Sequence, residues 1–324
     1  LSREAHVIVV APATPDFFAR AAHGRADDLL SAMLLAARCP VLIVPAMNDR
    51  MWGHPQTVLN ASHLREIGYD VMEPAVGALA FDEGEGPGRM PEPETIAASV
   101  TRILCTDPVL AGRRVLVTAG STRESIDPVR FISNHSSGRM GVAIARAAWA
   151  RGADVTLVAG AMEVPVPPGI RIVRVTTAAD MAAAVATALG DSDVLIMAAA
   201  PADFRPSAIA SEKIKKAHAP ESIPLTATPD ILASTIATRP PRLVVVGFAL
   251  ETESLLENAR AKLASKQLDF IVANRAGVDG EGFGADTNRV TIISAKDEEP
   301  LPLMSKDDVA EVLLDRVEAV MSGR

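Results

Sequence analysis

Cysteine is almost missing from this chain. Cys39 and Cys105 are the only two in 324 residues, and they match no CxxC or metal-ligand spacing. The sequence therefore offers neither a disulfide framework nor a zinc site, and a reduced, cytoplasmic setting is expected. Aromatic residues are scarce at 3%, with a single tyrosine, while Ala and Val abound, as where helices pack closely on a parallel sheet. Positive charge is in deficit: Lys and Arg number 32 against 40 Asp and Glu, a net charge of −8. This argues against nucleic acid as a partner, and any phosphorylated ligand must be held by local cations and backbone N–H groups. Long apolar runs are also absent. Val194–Ala202 and Leu243–Leu250 are too short to span a bilayer and contain Pro or Gly, so no membrane partner is expected, and no secretory signal pattern is seen. No GxGxxG fingerprint follows Val115–Val117, and the one tyrosine, Tyr69, stands in the other half of the chain. Both facts argue against an NAD-dependent reductase. The chain opens with Leu1, not Met, and goes almost at once into the buried-strand pattern His6–Val10, which reads as part of something longer.

What is present centres on residues 115–148, VLVTAGSTRESIDPVRFISNHSSGRMGVAIARAA. A short apolar strand runs into a polar loop carrying Arg123, Asp127, Arg130, Asn134, Ser136 and Ser137, and an Ala-rich helix begins near Gly138. Hydroxyls and glycines ahead of a helix leave its first N–H groups free for an anion, so this is read as a strand–loop–helix that holds a phosphate. The alternation of strand and helix continues through Asp154–Ala159, Ala178–Leu189, Asp193–Ala200, Leu243–Phe248, Ala259–Leu268 and Phe270–Ala273. The fold class expected is α/β with two doubly wound, Rossmann-like domains. The expected domains are residues 1–104, a linker at 105–112 with Asp107-Pro108 as hinge, and residues 113–324. A helix is predicted over Phe17–Ala37, interrupted at Gly24. Ala78–Met90 reads as a mobile flap, and residues 280–293 as a Gly-rich turn followed by an edge strand.

Single residues stand out in that frame. Asn48, just past the strand Pro40–Pro45, offers a donor and an acceptor beside Met47, Met51 and Trp52, or else caps the next helix. Asp203, just past Asp193–Ala200, suits a ribose hydroxyl or a metal held on phosphates, or an N-cap. Ser211–Lys216 is the one dense lysine cluster, read as a phosphate-binding arm against the alternative of a solvated surface. Lys262 and Lys266 fall on one helix face.

The runs VLVTAGSTRESIDPVRFISNHSSGRMG, MAAAPADFRP, EKIKK, TPDIL, VGFALET, KLASKQLDFIVAN and GFGADTN closely resemble, in order, those of 4′-phosphopantothenate–cysteine ligases. The earlier APAT, GRADDLL, PAMNDRMW and GPGRMPEPE resemble the later part of the flavin-dependent phosphopantothenoylcysteine decarboxylases. Together they resemble the bifunctional coenzyme A biosynthesis flavoproteins. The resemblance implies attack of the 4′-phosphopantothenate carboxylate on CTP, with Mg²⁺ present, to give an acyl-cytidylate, and then displacement of CMP by cysteine. It implies that Lys213 meets charge at the α-phosphate and that Lys262 and Lys266 hold the triphosphate or base. Asp203, Pro229, Asp230, Ile231, Leu232 and Phe248 would line the nucleotide site, with Asp203 the candidate metal ligand. Arg130 and Asn134 would hold the acyl-cytidylate. Asn274, Phe283, Asp286 and Asn288 match family motifs without an assigned role.

For the decarboxylase the resemblance implies FMN chemistry, with Asn48 on the substrate carboxylate. Two departures touch that half. The catalytic His and the flavin loop would precede Leu1, and the flap's proton-donating Cys has no counterpart in Ala80-Phe81-Asp82-Glu83. The alternative for the first unit is a non-catalytic, flavoprotein-like oligomerisation module. In the ligase half, Ser121, Ser125, Arg139 and Pro201 replace the usual Gly, Pro, Lys and Val. A homo-oligomer is expected.

Overall fold

The computed structural model describes residues 4–79, 84–105, 109–167, 169–215, 221–275 and 285–324. The chain divides into two compact units, Leu1–Thr106 and Asp107–Arg324. The first unit is built on three parallel strands side by side, β1 (Ile8–Ala13), β2 (Val41–Pro45) and β3 (Asp70–Val71). The central β2, Val-Leu-Ile-Val-Pro, is buried along its whole length. Between the strands lie α1 (Pro15–Ala22), α2 (Leu29–Leu35), α3 (Asp49–Trp52) and α4 (Pro55–Glu66). The helix predicted over Phe17–Ala37 is two helices. Gly24 has a φ of +62°, a conformation that leaves the helix, and Asp28 caps the next start by accepting from the Ser31 N–H. The stretch read as a flap forms an antiparallel hairpin, β4 (Ala75–Ala78) with β5 (Glu85–Arg89), and α5 (Pro93–Leu104) follows.

The second unit begins with β6 (Arg114–Ala119). The polar stretch after it, read as loop, contains a short antiparallel hairpin of β7 (Arg123–Ser125) and β8 (Phe131–Ser133). Next come α6 (Arg139–Ala150), β9 (Asp154–Ala159), β10 (Arg171–Arg174), α7 (Ala178–Leu189) and β11 (Val194–Met197). A second hairpin pairs β12 (Phe204–Pro206) with β13 (Leu225–Ala227), and α8 (Ile231–Thr235), β14 (Val244–Glu251), α9 (Leu255–Ser265) and β15 (Phe270–Arg275) follow. The chain closes with β16 (Thr287–Asn288), β17 (Val290–Ser294), β18 (Glu298–Pro300), β19 (Met304–Ser305) and α10 (Lys306–Ser322).

The main sheet has the order β10-β9-β6-β11-β14-β15-β17-β18, parallel as far as β15. Numbered along the chain, its parallel strands lie 3-2-1-4-5-6, the order of a doubly wound dinucleotide fold, so a crevice opens beyond the carboxyl ends of β6 and β11. Helices α6 and α10 cover one face, while α7, α8 and α9 cover the other, as the near-continuous apolar strands require. The tail strand corrects one expectation. β17 is not an edge but lies between β15 and β18, and its buried Val290, Ile292 and Ile293 account for the cover on both sides. At the crevice, α6 lies so close to β6 that a Cβ on Gly141 would stand 2.5 Å from the Ala119 Cβ. Only glycine fits there.

Candidate functional site

A cavity of about 510 Å³ opens at that crevice. Its walls come from separate stretches of the second unit: Ser133–Gly141, Ala198–Pro201 with Asp203, Phe248–Leu250, Lys262, and Asn274, Asn288 and Lys306. The β7–β8 hairpin delivers the first wall. Ser133 Oγ bonds Ser121 Oγ at 3.1 Å and donates to the Thr122 carbonyl at 2.7 Å. Asn134 Nδ2 then donates to the Pro201 carbonyl at 2.9 Å, tying the polar loop to the end of β11. The Ala202 N–H donates to Thr122 Oγ1 at 2.9 Å, Thr228 Oγ1 donates to the Ala202 carbonyl at 2.6 Å, and the Thr228 N–H donates to the Asp203 carbonyl at 3.0 Å. The backbone around Asp203 is thus fixed, and Asp203 caps no helix.

One pole of the cavity is cationic. Helix α6 starts at Gly138, which is left-handed and gives no side-chain cap, so the first N–H groups face the cavity with the positive end of the helix dipole. Beside them Arg139 pairs with Asp286 at 2.5 Å. Lys306 is 8% exposed and donates to the Ala285 carbonyl, and burial, then the neighbouring Arg139, lower its pKa. Arg146 pairs with Asp307, and Arg151 pairs with Glu311, Asp315 and Glu318. These successive pairs lay α10 alongside α6 in the same direction, so both helix starts point to this pole. Asn288, 4% exposed, lines it too, and its Oδ1 has no hydrogen-bond partner among the described residues.

The opposite pole is formed around α9. Lys262 Nζ donates to the Phe248 carbonyl at 2.8 Å. Burial lowers the lysine's pKa, against the pull of Glu251, Asp230 and Asp203. Lys266 does not line the cavity but pairs with Asp230 at 2.5 Å. Burial pushes the Asp230 carboxyl up, and the hydrogen bonds from Lys266 and from the Ala233 N–H outweigh it, so it titrates low. Asp230 also caps α8, and Ile231 and Leu232 are buried in the core behind it.

Asn134, Asp203, Phe248 and Lys262 are therefore brought together on the cavity wall, whereas Arg130, Lys213, Pro229–Leu232 and Lys266 stand outside it. Arg130 is engaged with the buried Asp127 and with the Ile214 carbonyl. Lys213 is exposed on the next loop. In the first unit Asn48 accepts from the Arg50 N–H at 2.9 Å and so caps α3, the plainer of its two readings. The Met47 N–H donates to the Gly88 carbonyl at 2.9 Å, docking the β4–β5 hairpin on this turn. A Cβ on Gly88 would lie 2.2 Å from the Met47 carbonyl oxygen, so the approach needs glycine. The flap tip Ala80–Glu83, Phe283 and Lys216–His218 lie outside the described residues. Lys306 was invisible to sequence reading, although a cation at the first position of a helix opposes the dipole there and is in hindsight a signal.

Comparison with known proteins agrees with this anatomy. The family profile described as "DNA/pantothenate metabolism flavoprotein C-terminal domain" matches residues 110–321, and the one described as "Flavoprotein" matches residues 1–104. The "Coenzyme A biosynthesis bifunctional protein CoaBC" of Mycobacterium tuberculosis (strain ATCC 25618 / H37Rv) is 46% identical over 339 residues, covering 100% of this chain and 81% of that protein. The protein of the same name from Vibrio cholerae is 41% identical over 323 residues, covering 99% of this chain and 80% of that protein. The crystal structure of the C-terminal domain of a CoaBC protein matches with a TM-score of 0.58 at 37% identity, covering 67% of this chain and 100% of that one.

Proposed function

The chain belongs to the bifunctional coenzyme A biosynthesis family, with phosphopantothenate–cysteine ligase and phosphopantothenoylcysteine decarboxylase activities, and from that premise we propose that the cavity of its second unit is the ligase site and uses CTP. The observation that carries this is the cavity's polarity at the switch point: an uncapped helix start with Arg139 and Lys306 at one pole, and Lys262, Phe248 and Asp203 at the other. A nucleoside triphosphate has a matching division into polyphosphate and nucleoside.

In this reading the nucleoside lies toward Phe248 and Lys262 with Asp203 beside it, while Lys266 holds Asp230 at the start of α8, behind the wall. The polyphosphate lies on the α6 start. The carboxylate of 4′-phosphopantothenate attacks the α-phosphorus of CTP, the bond to the β-phosphate oxygen breaks, and pyrophosphate leaves. Lys213 offsets charge gathering at the α-phosphate, and the cationic pole stabilises the departing pyrophosphate. The cysteine amine then attacks the acyl carbon, CMP leaves with the electron pair, and the amine proton is released. Asn134, fixed on Pro201, orients the acyl group for that attack. Among the described residues no group of three or more His, Cys, Asp or Glu could hold a metal. In this arrangement Asp203, at the nucleoside end, suits a ribose hydroxyl, and Mg²⁺ would arrive on the polyphosphate, held chiefly by the phosphates themselves. Asn134→Asp should let the acyl-cytidylate accumulate. An enzyme that still forms pyrophosphate but yields no trappable intermediate would count against that role.

FMN suits the first unit, where Ala13-Thr14 at the end of β1 and Ala46 just past β2 offer small side chains, with Met47 and Trp52 half-buried nearby. When bound, FMN supplies oxidation of the substrate thiol and return of a hydride. The chain's own part is Asn48, whose Nδ2 would meet the substrate carboxylate while Oδ1 caps α3. The flap sequence offers no Cys, which supports the second reading, that this unit serves as a docking module while the ligase is active. A yellow, FMN-bearing preparation would contradict that second reading.

A further inference from the structure

Arg130 belongs to the ligase motif, yet its guanidinium is turned away from the cavity wall. Asp127, with a fully buried side chain, receives five donors. Its Oδ1 accepts from the Val129 and Arg130 N–H groups at 2.8 Å each. Its Oδ2 accepts from Arg130 Nε at 3.0 Å, Arg130 Nη2 at 2.5 Å and the Ile214 N–H at 3.2 Å. Arg130 Nη2 also donates to the Ile214 carbonyl at 2.7 Å. Both backbone polar groups of Ile214 are therefore held by one ion pair. A further bond, from the Ala210 N–H to the Ile126 carbonyl at 3.0 Å, lays the same segment along the β7–β8 connection. Lys213 is the residue before Ile214, in the stretch of described residues 207–215 after β12, which forms no ladder of its own.

We propose that Asp127 and Arg130 form a latch that positions Lys213, so that Arg130 is a positioning residue acting through Ile214. The proposal rests on the ligase reading above. Arg130 leads directly into β8, whose far end carries Asn134. The latch therefore registers the lysine loop against the wall on which Asn134 sits. A guanidinium is suited to the task because its fork reaches a carboxylate and a carbonyl at once, which an ammonium point charge does not reproduce. Asp127 gains from the arrangement as well: the hydrogen bonds from Arg130 outweigh its burial and hold it well below the usual carboxylate range.

The test is a double-mutant cycle on the full-length chain with CTP and 4′-phosphopantothenate, cysteine omitted, reading single-turnover pyrophosphate release. Arg130→Lys should slow this first step by about ten- to a hundredfold, the scale of a misplaced catalytic group. In the Lys213→Gln background the same change should cost nothing more, because the group it positions is gone. Hydrogen exchange at the amides of residues 210–215 should speed up in Arg130→Lys and in Asp127→Asn. Losses that multiply, a first step that Arg130→Lys leaves at the wild-type rate, or unchanged exchange would each overturn the latch. Should the unaltered chain release no pyrophosphate, the ligase reading fails, and the exchange measurement decides the latch alone.

Discussion

Lys306 is the first residue of α10, where the helix dipole makes a cation unwelcome. It is nonetheless buried among Arg139, Asp286 and the start of α6. Two cations meet there, and an anionic ligand would complement them. Lys306→Met, which keeps the stem and removes the charge, should raise the KM for CTP by about tenfold or more and leave the KM for cysteine nearly unchanged. Steady-state kinetics on each substrate check this, and an unmoved KM for CTP would remove Lys306 from the nucleotide site. Residues of this kind show where sequence reading stops. Asn134, Asp203 and Lys262 were legible because each lies in a loop past a strand or on a patterned helix face. Phe248, inside β14, was legible only through the resemblance, and the strand order brings the four together. Lys306 was not, because nothing in Met-Ser-Lys-Asp-Asp reports that α10 will run alongside α6. Arg130 was legible as a motif residue, but its engagement with Ile214 joins residues far apart in the chain.

The short hairpins β7–β8 and β12–β13 are hidden in the sequence because strands of three residues are too short to show an apolar alternation, and β7 and β12 carry charged or prolyl side chains besides. They nevertheless expose Phe131 (47%), Phe204 (55%), Ile209 (65%) and Leu225 (50%). Arg123 stacks over the Phe131 ring at 4.7 Å. Exposed apolar side chains on neighbouring elements suit an association surface, the place where the homo-oligomer expected from the sequence would form. Phe204→Asp should shift the chain toward the monomer in sedimentation velocity at micromolar concentration. A chain that is monomeric before the change, or equally paired after it, would contradict this. The long elements were easier to foresee. Val115–Val117, Val194–Met197 and Val244–Val246 are apolar without alternation, which only a sheet covered on both faces accommodates.

At the scale of the molecule, two units share one chain whose relatives carry both activities. The product of the ligase, phosphopantothenoylcysteine, is the substrate of the decarboxylase. The division at Thr106 and Asp107 gives each unit its own core. The net charge of −8 means that binding of a polyanion depends on the local cations of the cavity, and salt should weaken it accordingly. The polarity of that cavity suits CTP. The direct test follows pyrophosphate release from CTP with 4′-phosphopantothenate, with and without cysteine, against ATP at the same concentration. Pyrophosphate released from CTP and not from ATP, with phosphopantothenoylcysteine formed only when cysteine is added, is the result predicted. A folded protein that releases no pyrophosphate, or releases it equally from ATP, would contradict the assignment.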